Sequence, residues 1–146
     1  TFLVGAAVTY LGEESELEAD VYHLAWVSGP APADWGADRL VRISATVRNT
    51  SPAIWRARGA TRVAIAYHWL DAAGQPLSFE GLRTVLPDDV APGDSVDLEL
   101  EVASPKKPGD YILELDALRE QIAWFSARTP GSTLRLPVTV LPSDDR

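Results

Sequence analysis

Ser95–Ala103 reads SVDLELEVA, nine residues in which apolar side chains alternate with polar and acidic ones throughout. Val96, Leu98, Leu100 and Val102 fall on one side of an extended chain. Asp97, Glu99 and Glu101 fall on the other. This period of two predicts a strand with one face on a core and one in water. The rhythm continues in both directions. Leu40–Asn49 (LVRISATVRN) sets Val41, Ile43, Ala45 and Val47 against Arg42, Ser44, Thr46 and Arg48. Thr61–Leu70 (TRVAIAYHWL) puts Val63, Ile65, Tyr67 and Trp69 on one face. Tyr111, Leu113 and Leu115 oppose Ile112, Glu114 and Asp116, and Thr133–Leu141 repeats the pattern with Leu134, Leu136, Val138 and Val140.

Turn chemistry separates these runs. Asn49–Pro52, Asp71–Gly74, Pro92–Asp94, Pro108–Asp110 and Thr129–Ser132 each supply a fixed φ from proline or a tolerated positive φ from glycine, asparagine or aspartate. Short strands with regular turn signals predict an all-β chain. We expect an antiparallel β-sandwich of immunoglobulin or fibronectin-III type, with seven to nine strands in a single domain over residues 1–146. Val21–Val27 (VYHLAWV) reads as a strand and Pro30–Ala37 as a loop around Trp35. Asp116–Ala123 fits a helical turn or two, while Gln121–Phe125 (QIAWF) also fits a strand.

Composition narrows the function. At 146 residues the chain is long enough to bury a core without staples. It has no cysteine, which excludes disulfides, thiolate metal sites and thiol catalysis but leaves the compartment open. Its 13 Lys and Arg against 21 Asp and Glu give a net charge of −8. That charge argues against nucleic acid and against docking on anionic lipid. No apolar run is long enough to insert in a membrane as a helix. Methionine is absent even at position 1, so Thr1 is expected to be a processed end or the start of a piece of a longer chain. Thr1–Gly12 is apolar but lacks the basic start of a signal peptide. Residues 1–20 are expected as an N-terminal extension or an added strand.

Chemistry-bearing clusters are sparse. Glu13, Glu14, Glu16, Glu18 and Asp20 form an acidic run that reads as a solvated segment. Calcium is the alternative, but the spacing matches no EF-hand loop. The histidines, His23 and His68, are isolated and form no metal site. Asp88 with Asp89, or Asp97 with Glu99 and Glu101, could suggest glycosidase carboxylates. A solvated strand face explains the second set, and no apolar setting that would raise a general acid's pKa is visible. No nucleophile elbow, Walker loop or dinucleotide fingerprint occurs. We expect no enzyme activity, no cofactor and no metal.

Several motifs run together between Val47 and Phe125. They are Asn49 with Trp55, Tyr67-His68-Trp69, Gly81-Leu82-Arg83-Thr84 with Leu86-Pro87, Pro92-Gly93, Pro108-Gly109-Asp110-Tyr111, and Trp124-Phe125. This stretch resembles an immunoglobulin-like accessory domain attached to bacterial polysaccharide glycosyltransferases and methyltransferases. More distantly it resembles the sugar-binding sandwich of O-antigen-exporting ABC transporters. The resemblance implies a non-catalytic module of a cell-envelope or polysaccharide-related protein, with carbohydrate as a ligand. It supplies no catalytic residues.

The residues themselves suggest structural roles first. Tyr111 follows a Pro-Gly-Asp turn, the setting of a tyrosine corner. Trp69 shares a face with Val63, Ile65 and Tyr67, as a central core tryptophan would. His68 points away from that face, towards solvent or an interface. Arg83 pairs with Asp88, Asp89 or Glu80, or is solvated. Five tryptophans are a surplus for such a core, and flat aromatic faces suit pyranose rings or protein interfaces. Trp35 and Trp55 lie in turn-like segments, where exposure is possible, and Trp124 ends a strand. The candidate ligand-binding residues are therefore Trp35, Trp55, His68, Arg83 and Trp124. The partner is a glycan or a neighbouring protein domain, with a cell-surface or extracytoplasmic setting favoured. The alternative is a spacer or assembly domain of a surface layer or filament, in which Phe2–Leu11 adds to a neighbour's sheet edge.

Overall fold

The structure, a computed structural model, describes residues 19–77 and 81–143. Phe2–Leu11, the acids from Glu13 to Glu18, and Glu80 lie outside the described residues. The element order is β1 (Leu24–Ser28), β2 (Ala33–Gly36), β3 (Leu40–Asn49), β4 (Val63–Asp71), β5 (Thr84–Val85), β6 (Ser95–Ala103), β7 (Gly109–Arg119), β8 (Ala123–Trp124), α1 (Phe125–Arg128) and β9 (Leu134–Leu141). Among the described residues, no helix is long and apolar enough to cross a membrane.

One sheet has the order β1-β3-β6 and the other β2-β9-β7-β4-β5, with β8 beside β7. Strands β1, β3 and β6 take the A, B and E positions of an immunoglobulin sandwich, and β4, β7 and β9 take C, F and G. The fold is an immunoglobulin-like β-sandwich. Strands β3 and β6 begin and end as their alternation predicts, in register from Leu40 opposite Ala103 to Arg48 opposite Ser95. One pair differs in direction: β2 runs parallel to β9, with Trp35 opposite Val140. The Pro30–Ala37 loop is thus corrected to a loop and a four-residue strand. Pro30 and Pro32 precede the strand, where no ladder donor is required. The helical turn is also displaced, to Phe125–Arg128, because Asp116–Arg119 continues β7.

The core is closed by aromatics from β4. Trp69 is buried, edge-on to Trp35 at 5.6 Å and to Tyr111 at 6.0 Å. Its indole N–H donates to the Ala103 carbonyl at 2.9 Å. The Ala103 N–H donates in turn to the Tyr67 hydroxyl at 2.8 Å. Two residues of one sheet therefore grip both polar groups of a single residue in the other. Tyr111 forms the expected corner, its hydroxyl donating to the Lys107 carbonyl at 2.6 Å. Two residues on stands Leu113, fully buried, where antibody domains carry a disulfide cysteine.

The opposite end is organised by Asn49, which is fully buried. Its amide donates to the carbonyls of Ala53 (2.8 Å) and Val90 (2.9 Å). Its side-chain oxygen accepts from the Ser51 N–H (2.9 Å) and hydroxyl (2.7 Å). This amide folds the segment after β3 back so that Trp55 points inward. Trp55 is 0% exposed, bonds the Val21 carbonyl at 2.9 Å, and packs 5.8 Å from Phe125. The exposure considered for Trp35 and Trp55 is corrected on this evidence of packing: both belong to the core.

Tyr67→Phe should lower stability by about 1–3 kcal/mol, because it strands the Ala103 N–H. Asn49→Ala, which removes four hydrogen bonds at once, should cost more than about 3 kcal/mol. Urea denaturation measures both. A Tyr67→Phe protein as stable as the parent would show that the clamp contributes nothing.

Candidate functional site

Strand β4 is buried on both faces. Its inward residues join the main core, while Ala64 and Ala66 lie on the far side with Leu118 of β7. That far side is not open to solvent there. After β7 the chain makes a tight hairpin, with the Ile122 N–H donating to the Arg119 carbonyl at 3.0 Å and Gln121 at φ 65°. It returns as β8 and α1. The consecutive aromatics Trp124 and Phe125 then diverge. Trp124 covers Ala64, Ala66 and Leu118, and Phe125 plugs the end of the core.

Three of the five candidate residues meet at this cover. His68 lies 4.3 Å from Trp124, centroid to centroid, and the Arg83 guanidinium lies 5.1 Å from the Trp124 ring. Trp35 and Trp55 belong to the core and are not part of this group. Arg83 pairs with Glu120, its Nε donating at 3.1 Å, and a further N–H donates to the Gly81 carbonyl. Of the alternatives of Asp88, Asp89, Glu80 or solvent, Glu80 lies outside the described residues; the structure adds a partner 37 positions away, because the hairpin after β7 brings Glu120 beside Arg83. Asp89 instead binds Arg56 (3.1 Å) and accepts the Ala57 N–H (2.8 Å). Arg83, Glu120, Ile122 and Trp124 line a shallow depression beside β5.

Beneath Trp124 sits a group the sequence does not single out. Asp116 is fully buried, and its Oδ2 receives the Ser126 hydroxyl at 2.6 Å and meets His68 Nε2 at 3.0 Å. Its Oδ1 accepts the Ala117 N–H at 2.8 Å. Serine, histidine and aspartate thus come together, but both polar side chains converge on one carboxylate oxygen. The hydroxyl's proton goes to Asp116, so the imidazole is not arranged to activate the serine. The trio fastens α1 to the sheet. Alternation marks Asp116 as outward-facing, correctly; only the return of β8 and α1 buries it. Among the described residues, no group of three or more His, Cys, Asp or Glu side chains is placed to hold a metal ion.

No protein-family model and no curated protein matches the chain. Among solved structures it is similar to the CARDB domain of a Pyrococcus furiosus protein. The solution structure of that domain aligns over 81% of this chain and 94% of the domain, at 14% identity and a TM-score of 0.46. A crystal structure of the domain in complex with di-metal ions aligns over 82% and 88%, at 12% identity and 0.47. A β-glucosidase from Listeria innocua aligns over 81% of this chain but only 16% of the enzyme, at 13% identity and 0.43.

Two expectations test this region. His68→Ala leaves the buried Asp116 carboxylate short of a partner and should cost about 1–3 kcal/mol in urea denaturation. The second concerns Asp89, whose pKa is held below the ordinary aspartate value, first by the Ala57 N–H and next by Arg56. A depressed folded-state pKa gives stability that is present above the unfolded value and lost as pH falls through the folded one. Asp89→Asn should therefore flatten the acid limb of the stability–pH curve. An unchanged acid limb would contradict this assignment.

Proposed function

We propose that the chain is a non-catalytic immunoglobulin-like module that works by surface contacts with a neighbouring protein or domain. The observation that carries this reading is how the aromatic and titratable side chains are used. Trp35, Trp55 and Trp69 are in the core, Trp26 bonds the Ser132 carbonyl at 3.0 Å, and Trp124 lies beside His68 and Arg83. The serine–histidine–aspartate trio anchors α1 rather than polarising a nucleophile. The apolar side chains that do face solvent include Leu82, Val85 and Ile122, grouped around Arg83 beside the β5 edge. Exposed aliphatics at one edge suit a protein interface better than a sugar. The sequence motifs from Val47 to Phe125 support a place in a larger bacterial cell-envelope or polysaccharide-related protein.

A second reading keeps carbohydrate as the ligand, because His68, Arg83 and Trp124 converge on one side of the sheet. Titration with charged and neutral oligosaccharides, followed by tryptophan fluorescence and amide NMR, separates the two. The contact-module reading expects no response at millimolar sugar. A compact set of shifts at Arg83, Ile122 and Trp124 would overturn it in favour of the glycan.

A further inference from the structure

We propose that the β5 edge is a self-complementary surface that pairs two copies of this chain about a two-fold axis. Two shallow depressions meet at Val85, which is 55% exposed. On one side the lining includes Arg58 and Arg62. On the other it includes Leu82, Glu99, Glu101 and Arg83, whose charge is paired with Glu120. The surface therefore runs from cationic through aliphatic to anionic. Of the three arginines between Thr50 and Arg62, Arg56 is held by Asp89 at 3.1 Å, and Arg58 and Arg62 line the depression, in a chain whose net charge is −8. The acids come from the outward positions of β6, all of them exposed.

A stripe ordered in this way is its own complement. Rotation about a two-fold axis lying across the stripe at Val85 reverses its direction. The arginines of one copy then face Glu99 and Glu101 of the other, and Val85 meets its symmetry mate. The centre is desolvated and apolar, while the rim carries the charges, as in known interfaces. Rotation about an axis along the stripe would instead set like charges together, so the charge order disfavours that arrangement. A second copy is favoured over an unrelated partner because both halves of the charge pattern are already on this chain.

This inference rests on the contact-module reading and narrows it. Sedimentation equilibrium of the full 146-residue chain, over a wide range of loading, should show a reversible dimer. Val85→Asp should abolish it. Arg58→Glu and Glu101→Arg should each weaken it about tenfold or more, as loss of a close charge pair does. The Glu101→Arg result is decisive, because that change makes the chain less negative. Relief of net repulsion alone would strengthen association. The double variant carrying both changes should recover the dimer. Near-UV circular dichroism checks that each variant keeps the parent fold. A chain that stays monomeric at every loading overturns the proposal. So does a dimer indifferent to Val85→Asp and to both charge reversals. Neither result touches the contact-module reading, which fails only if oligosaccharides move the Trp124 signals.

Discussion

One tie between the two sheets sets their alignment. Ala103, at the end of β6, gives its N–H to the Tyr67 hydroxyl and its carbonyl to the Trp69 indole. A sandwich without cysteine has no covalent link between its layers, and hydrophobic contact alone is non-directional. The two aromatic side chains add direction. They set the height at which β6 lies over β4, and the long ladder between β3 and β6 carries that alignment through its sheet. Trp35 and Tyr111 close round the same indole, so β2 and β7 of the second sheet are positioned by it as well.

The parts of the fold legible in the sequence are those where one face is wet. Leu40–Asn49 and Ser95–Ala103 alternate cleanly because polar side chains there reach solvent, and both were bounded to the residue. Strand β4 is legible on its inner face only. Its outer alanines signal burial against a cover, yet nothing local says what the cover is. Trp35 was harder still. A four-residue strand behind two prolines has too few positions to show a period, and its parallel partner lies a hundred residues away. Trp55 follows a bend and pairs its backbone with Val90 in an isolated bridge too short to show a period. What makes it a core residue is Asn49, whose buried amide bends that segment inward.

The grouping of His68, Arg83 and Trp124 was only half legible. Each residue type suggests a role singly, but their meeting depends on the hairpin after β7. That hairpin turns through Gln121 in a left-handed conformation, which glycine or asparagine would announce and glutamine does not. Asp116 and Ser126 are silent in the sequence for the same reason, since neither belongs to a motif and both are gathered by the return of the chain. An aspartate that alternation places outward is fully buried once an excursion folds over it.

The parallel alignment of β2 and β9 has a mechanical corollary. A pull applied at Ala33 and Leu141 would draw the paired strands in opposite directions along their length. The hydrogen bonds between them are then loaded in shear and must yield together, instead of unzipping singly. Parting those two points is therefore far harder than four paired residues would suggest.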